Sequence, residues 1–258
     1  MKEIWMKSNM IGLAAITLSL IIMCAMAFWQ IVHGKSQAVS AAERQIPIYC
    51  VETVENRVAL SFDVATGTDD LQQLLDILKK HQVKATFFLV GSWVRKWPEA
   101  VQQIYNEGHE LASHANHHVD MTTLNYTDCI QEVRGVEQEV YKLTGYTMNL
   151  FRPPYGAYNN QVIQAARDCG YEGVQWSVDS LDWKEYGVED MLRRVLEHEK
   201  LEKGAILLFH NNTKYTAQAL DAILTGLSAK GYALGTVSDL ILKENYIIDS
   251  QGCQRPAG

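Results

Sequence analysis

Apolar positions along the chain follow two rhythms. Short continuous apolar runs at residues 58–62, 85–90, 110–113, 150–151, 173–177, 205–209 and 232–237 read as strands. Between them, in residues 70–81, 99–107, 127–144, 159–169, 188–197 and 217–230, apolar residues recur at helical spacing, as Leu71, Leu74, Leu75 and Leu78 do on one face. Gly108, Gly145, Gly170 and Gly231 fall just past four of these stretches, where a left-handed cap ends a helix, and Pro98 opens another. Strands without polar alternation are buried on both faces. Their regular exchange with helices predicts an α/β protein with a parallel sheet covered by helices. Seven strands suit a closed or nearly closed barrel, with an open doubly wound sheet as the alternative. No internal repeat or low-complexity segment interrupts the pattern.

A different pattern precedes the first strand. Residues 10–32 are apolar and carry no charge, a length that crosses a bilayer as a helix. Lys2 and Lys7 before it favour a cytoplasmic N-terminus, residues 1–9, and an extracytoplasmic remainder. A cleaved signal peptide is the rival, with small residues at 39–41 as a cleavage site, but its apolar core would be shorter, at roughly 7–15 residues. The polar, small-residue segment 33–46 reads as a linker, 47–250 as the folded domain and 251–258 as a tail. The expected location is the cell membrane, as a single-pass protein. A net charge of −7 and the lack of a basic run argue against nucleic acid as a partner. Of five cysteines, Cys24 lies in the apolar span, and Cys129 and Cys169 fall on helices as small hydrophobes. Cys50 and Cys253 flank the domain and either pair outside the membrane or remain free thiols.

Polar residues recur at the C-terminal ends of the strands. Asp63 follows the first. His114, His117 and His118 follow the third, and Arg152 the fourth. Asp179 and Asp182 follow the fifth, and His210 ends the sixth. Parallel α/β folds build their sites at that end. His114 and His118, four apart, would share one face of a helical turn and grip one metal, while His117 would point elsewhere. Pro153 and Pro154 stiffen the chain beside Arg152, which could orient a carboxylate, and beside the Tyr155 amide, which could donate to an oxyanion. Asp182 next to His210 would raise the imidazole pKa and suit a general acid. Trp176, Trp183 and Leu208 could wall a sugar ring. This inventory describes metal-assisted hydrolysis of an amide or ester. No nucleophile elbow, P-loop or dinucleotide fingerprint is present.

The order of these motifs resembles the polysaccharide deacetylase family (the NodB homology domain, carbohydrate esterase family 4) over residues 57–242. The matching stretches are SFD at 61–63, SHANHH at 113–118, RPPY at 152–155, DSLDW at 179–183 and LLFH at 207–210. The resemblance implies a distorted (β/α) barrel of seven or eight parallel strands and a metal-dependent hydrolase removing N-acetyl groups from amino sugars. It implies Asp63 as general base, His114 and His118 as metal ligands and Arg152 as the residue orienting the base. Tyr155 would supply an amide to the oxyanion, Asp182 would partner the acid His210, and Trp183 and Leu208 would line the acetyl groove. Two departures stand out. The family's metal-binding second Asp is Val64 here, and the small hydroxyl after the first His is Ala115. Asp69 could reach back as the missing ligand, with Asp70 capping the next helix. Alternatively Asp63 itself or a water fills the position. The cofactor implied is a divalent ion, zinc first, with cobalt, nickel or manganese also suited. An anchored domain beside a bacterial wall favours peptidoglycan over chitin as the glycan partner, and variants of this kind resemble a cell-wall and spore subgroup. The rivals are a catalytically silent glycan-binding domain and a structural envelope protein.

Overall fold

The computed structural model describes residues 44–257. The expected membrane span, residues 10–32, and most of its linker lie outside the described residues. Among those described, no helix is long and apolar enough to cross a membrane.

Eight parallel strands form one curled sheet. In chain order they are β2 (Arg57–Val64), β3 (Thr86–Leu89), β4 (Glu110–Ser113), β5 (Leu150–Phe151), β6 (Glu172–Gly173), β7 (Val178–Asp179), β8 (Ile206–His210) and β9 (Ala233–Gly235). Their spatial order is β6-β5-β4-β3-β2-β8-β7, with β9 pairing the start of β2. The run at 173–177, read above as one strand, is instead the passage from the end of β6 at Gly173 to the start of β7 at Val178, two strands at opposite edges of the sheet. The reason is visible in the hydrogen bonds. Val174 N–H still bonds to Phe151 beside β6, whereas Ser177 N–H already bonds to Ile206 at the foot of β8. The chain steps across the opening in between, so the barrel is distorted rather than closed.

Period-two alternation sorts β2 into two cores. Val58, Leu60, Phe62 and Val64 belong to the large cluster shared with the helices, including Leu71, Leu74, Leu75 and Leu78. Ala59 belongs to a smaller cluster on the opposite, concave face, with Ile48, Phe88, Leu150, Ile206, Val237 and Leu240. Ser61 and Asp63 follow Ala59 on that face, toward the C-terminal mouth. A separate three-stranded sheet closes the other end: β1 (Cys50–Val51), β11 (Cys253–Pro256) and β10 (Tyr246–Ile248), in the order β1-β11-β10. Residues 251–258, expected as a tail, therefore contain a paired strand. Gln254, fully buried, holds it by accepting from Leu242 N–H and donating to Leu242 C=O, 2.7 and 2.8 Å.

The four glycines expected as helix stops all have positive φ, from 72° at Gly145 to 83° at Gly170. The helix expected over 127–144 is broken into Tyr126–Arg134 and Glu137–Thr144. Gly135 stands at the break because the Asn116 side chain packs against its backbone; a Cβ there would meet Asn116 Cγ at 2.6 Å. A short helix, Gly91–Lys96, was not evident from periodicity.

Candidate active site

The mouth of the barrel is organised by two charge pairs on adjacent strands. Register sets Asp63 of β2 beside His210 of β8. Arg152, fully buried after β5, reaches across and donates to Asp63 Oδ1 at 2.7 Å. Its other terminal nitrogen donates to Ser61 Oγ and Gln175 C=O, 2.9 and 3.0 Å, and the guanidinium lies 4.0 Å over the Phe88 ring. Burial alone would raise the Asp63 pKa. The Arg152 charge, with His114 and His210, outweighs burial and holds it below the usual carboxylate value. Asp63 is thus an ionised carboxylate with a fixed orientation.

Asp182 plays the same part for His210. It accepts from His210 Nδ1 and from His210 N–H, both at 2.7 Å, from Thr216 Oγ1 at 2.7 Å and from Trp183 N–H at 2.9 Å. These donors fix the carboxylate, which fixes the ring. Burial lowers the His210 pKa, but the hydrogen bond and charge of Asp182 prevail and raise it. Asp179, by contrast, accepts from Leu181 N–H and Trp176 Nε1, a turn-forming role.

His114 and His118 come together with ring centroids 5.0 Å apart. The helical turn expected for them is absent: Ala115 and His118 are left-handed, φ 64° and 54°, and the loop folds the rings together instead. His114 Nδ1 lies 2.7 Å from the Arg152 carbonyl, an acceptor only, so the proton sits on Nδ1. Burial drives the His114 pKa down to about 4 and that of His118 below its ordinary value, so both are neutral at pH 7. The His114 Nε2 lone pair then faces Asp63 Oδ2 at 3.4 Å, acceptor against acceptor. A cation between them would relieve that opposition.

By donor type, two neutral imidazoles and a neighbouring carboxylate suit a divalent ion. Neither Val64 nor Asp69 adds a ligand to this set. Val64 is buried in the helix-side core, and Asp69 is exposed. Among the described residues, no group of three His, Cys, Asp or Glu is arranged to hold a metal. Asp70 holds the N-cap position of its helix, as expected, but its side chain makes no capping hydrogen bond. Its Oδ1 accepts from Asn212 N–H at 2.7 Å, tying the first loop to the one after His210.

Several contributors were not anticipated. Glu132 accepts from the N–H groups of Asn116 and His117, 3.0 and 2.9 Å, and from His117 Nδ1 at 2.7 Å, pinning the histidine loop. A signal existed: Glu132 is an acid three positions from Cys129 on a helix face that is otherwise buried. Ser61, Gln175 and Thr216 had no such signal. Tyr155 is left-handed, φ 61°; its ring packs 4.6 Å from His118 and its hydroxyl donates to His118 C=O. A cleft of about 240 Å³ is lined by Asp63, Thr66, Trp183, Glu185, His210 and Asn211, among others. Trp183 is 51 % exposed at its edge, whereas Leu208 is buried beneath His210 on β8.

With this geometry in place, the relatives can be compared. The polysaccharide deacetylase family matches residues 51–174. Peptidoglycan-N-acetylmuramic acid deacetylase PdaA of Bacillus subtilis is 33 % identical over 219 residues, covering 82 % of this chain and 81 % of PdaA. This chain belongs to the polysaccharide deacetylase family. A second B. subtilis member, YlxY, is 37 % identical over 76 % of this chain, which spans 60 % of YlxY's length. Among solved structures, a family pseudoenzyme from Bacillus anthracis superposes with a TM-score of 0.72 at 34 % identity, covering 75 % of this chain and 68 % of its own. The family thus contains members described as deacetylases and a member described as a pseudoenzyme.

Proposed function

We propose that this chain hydrolyses N-acetyl groups on amino sugars of peptidoglycan, releasing acetate and leaving a free amine. In this reading it works outside the cytoplasm, held at the membrane by residues 10–32. The observation that carries it is the pair of fixed dyads, Arg152–Asp63 and Asp182–His210, whose Asp63 and His210 stand side by side on β2 and β8 at the edge of one cleft. A base kept ionised and an imidazole acid with a raised pKa, within one site, are what amide hydrolysis requires.

Asp63 takes a proton from the attacking water, and Arg152 keeps its carboxylate aimed and ionised. Water adds to the acetamide carbonyl carbon, and the Tyr155 N–H donates to the oxygen that gains charge. His210 gives its proton to the sugar nitrogen as the C–N bond breaks, while Asp182 stabilises the imidazolium that precedes transfer. Trp183 offers an apolar face to the sugar, and Leu208 an apolar floor. His114 and His118 would hold the divalent ion, zinc by preference, which supplies Lewis-acid polarisation of the carbonyl and lowers the pKa of water.

The test is acetate release from N-acetylated peptidoglycan by the full-length protein with zinc supplied, one new amine appearing per acetate. Asp63→Asn and His210→Gln should each abolish most of it. Absence of acetate with zinc, cobalt, nickel or manganese would overturn the proposal. The second reading, a silent glycan-binding domain, is favoured by Val64 in place of a ligand and by the likeness to the B. anthracis pseudoenzyme. It predicts retention on insoluble peptidoglycan without acetate.

A further inference from the structure

The floor of the barrel carries chemistry that hydrolysis does not use. Cys50 on β1 and Cys253 on β11 are direct partners in a parallel strand pair. Adjacent strands lie about 4.8 Å apart, and disulfides span Cα separations of about 4.4–6.8 Å, so the strand register puts the two residues within the range of a disulfide. The two thiols lie near enough for each to perturb the other's ionisation. The surrounding frame is rigid. Asp249 Oδ1 accepts from Cys253 N–H and Gln251 N–H at 3.0 and 2.8 Å, and Asp249 Oδ2 pairs with Arg255 at 2.8 Å. Arg255 also pairs with Glu52 at 2.9 Å across the same two strands. Cys129 and Cys169 sit in the helix layer, away from this pair.

We propose that Cys50 and Cys253 form an intramolecular disulfide that clasps the first strand of the folded domain to its last. The partner reaction is thiol–disulfide exchange with an external disulfide, either a small molecule or an oxidoreductase. One protein thiolate attacks a sulfur of that disulfide and expels one thiol. The second protein thiolate then attacks the mixed disulfide and expels the other. Two protein S–H bonds become one S–S bond, and two electrons and two protons end on the external thiols. Burial, together with the neighbouring sulfur and Asp249, pushes the Cys50 thiol up to about 12. The folded pair is therefore a poor nucleophile, and closure is fastest before the floor has packed.

The bond would close a loop containing almost the whole barrel. A cross-link of that span restricts the unfolded chain strongly. Its connection to the site is structural: Val51 N–H bonds to Gly204 C=O, and Cys50 bridges Ala205, at the root of the strand that ends in His210. The clasp secures that root without touching the cleft.

The experiment uses the full chain, refolded with oxidised glutathione, alkylated in denaturant and digested without reductant. Mass spectrometry should find one peptide pair joined through Cys50 and Cys253, with Cys129 and Cys169 alkylated. Reduction with dithiothreitol should lower the melting temperature by about 10 °C. Cys50→Ser and Cys253→Ser should lose that reductant sensitivity, and Cys129→Ser should keep it. Alkylation or glutathione adducts on both Cys50 and Cys253, linkage of either to another cysteine, or a melting temperature indifferent to reductant would overturn the proposal. If the serine variants do not fold, the peptide map of the native chain decides.

Discussion

The two ends of the barrel are built on opposite principles. At the mouth, Ala115, His118, Tyr155, Leu181, Glu185 and Asn212 all adopt left-handed backbone, and among the described residues only Gln82 and Asn245 join them elsewhere as non-glycine cases. Each such residue costs on the order of 1 kcal/mol. Charges are buried there too: Asp63, Arg152 and Asp182 are almost without solvent contact, as is the neutral His114. The floor has far less of either: Glu110 is a buried carboxylate there, held by Thr86 and Ser238, and Asn245 is left-handed beside the small sheet. Ile48, Val51, Val237 and Leu240 fill it with apolar side chains, and a small sheet seals it. Strain and buried charge persist where surrounding structure over-determines them. The loops of the mouth are cross-tied by Asp70 to Asn212, by Glu132 to His117, and by Trp93 Nε1 and Asn211 Nδ2 to the Gly67 carbonyl. The floor and the helix-side core supply the stability that these positions consume.

This contrast can be broken experimentally. The largest effect should come from Arg152→Met, which leaves Asp63 buried without its partner. Unfolding in urea should show a loss of about 3–5 kcal/mol, together with loss of acetate release. His210→Gln should cost about 10²–10⁴-fold in acetate release while leaving the urea midpoint nearly unchanged. The same dyad sets a pH dependence. Because Asp182 raises the His210 pKa, the acid form persists above the imidazole's ordinary 6.5, and activity falls as pH climbs through the raised value. Asp182→Asn should shift that alkaline limb of the rate profile to lower pH. Ile48→Ala on the floor should reverse the signature of His210→Gln, losing about 2–4 kcal/mol of stability with turnover intact. The smallest effect should be that of Glu132→Gln, about 1–2 kcal/mol, since the amide still accepts one loop N–H but loses its charge. Zinc titration by calorimetry should show weaker binding in that variant, because the loop it holds carries His118. Were Ile48→Ala to damage turnover as much as stability, the division between the two ends would fail.

The pattern of the chain revealed a good share of this. Leu71, Leu74, Leu75 and Leu78 marked their helix, continuous apolar runs marked a parallel sheet, and Asp63, Arg152, Asp182 and His210 were legible because a strand's end is a local feature. Less was legible where distant segments meet. The split of 173–177 depends on which neighbour each residue finds, Phe151 or Ile206, and nothing in five consecutive residues encodes that. The helix break at Gly135 exists because Asn116, on a separate loop, needs the space. Asp70 is the N-cap residue its position suggests, yet its carboxylate ties to Asn212, 142 positions away, instead of to the helix.

Sequence alone determined the elements and the chemical types delivered to the mouth, because periodicity and strand termini are short-range properties of the backbone. Only the tertiary structure decided which acids face the site and which face elsewhere. Val64 turns into the helix-side core, Asp69 into solvent, and Cys50 into register with Cys253. Those outcomes depend on sheet curvature and loop closure, which bring together residues whose separation along the chain carries no local signal.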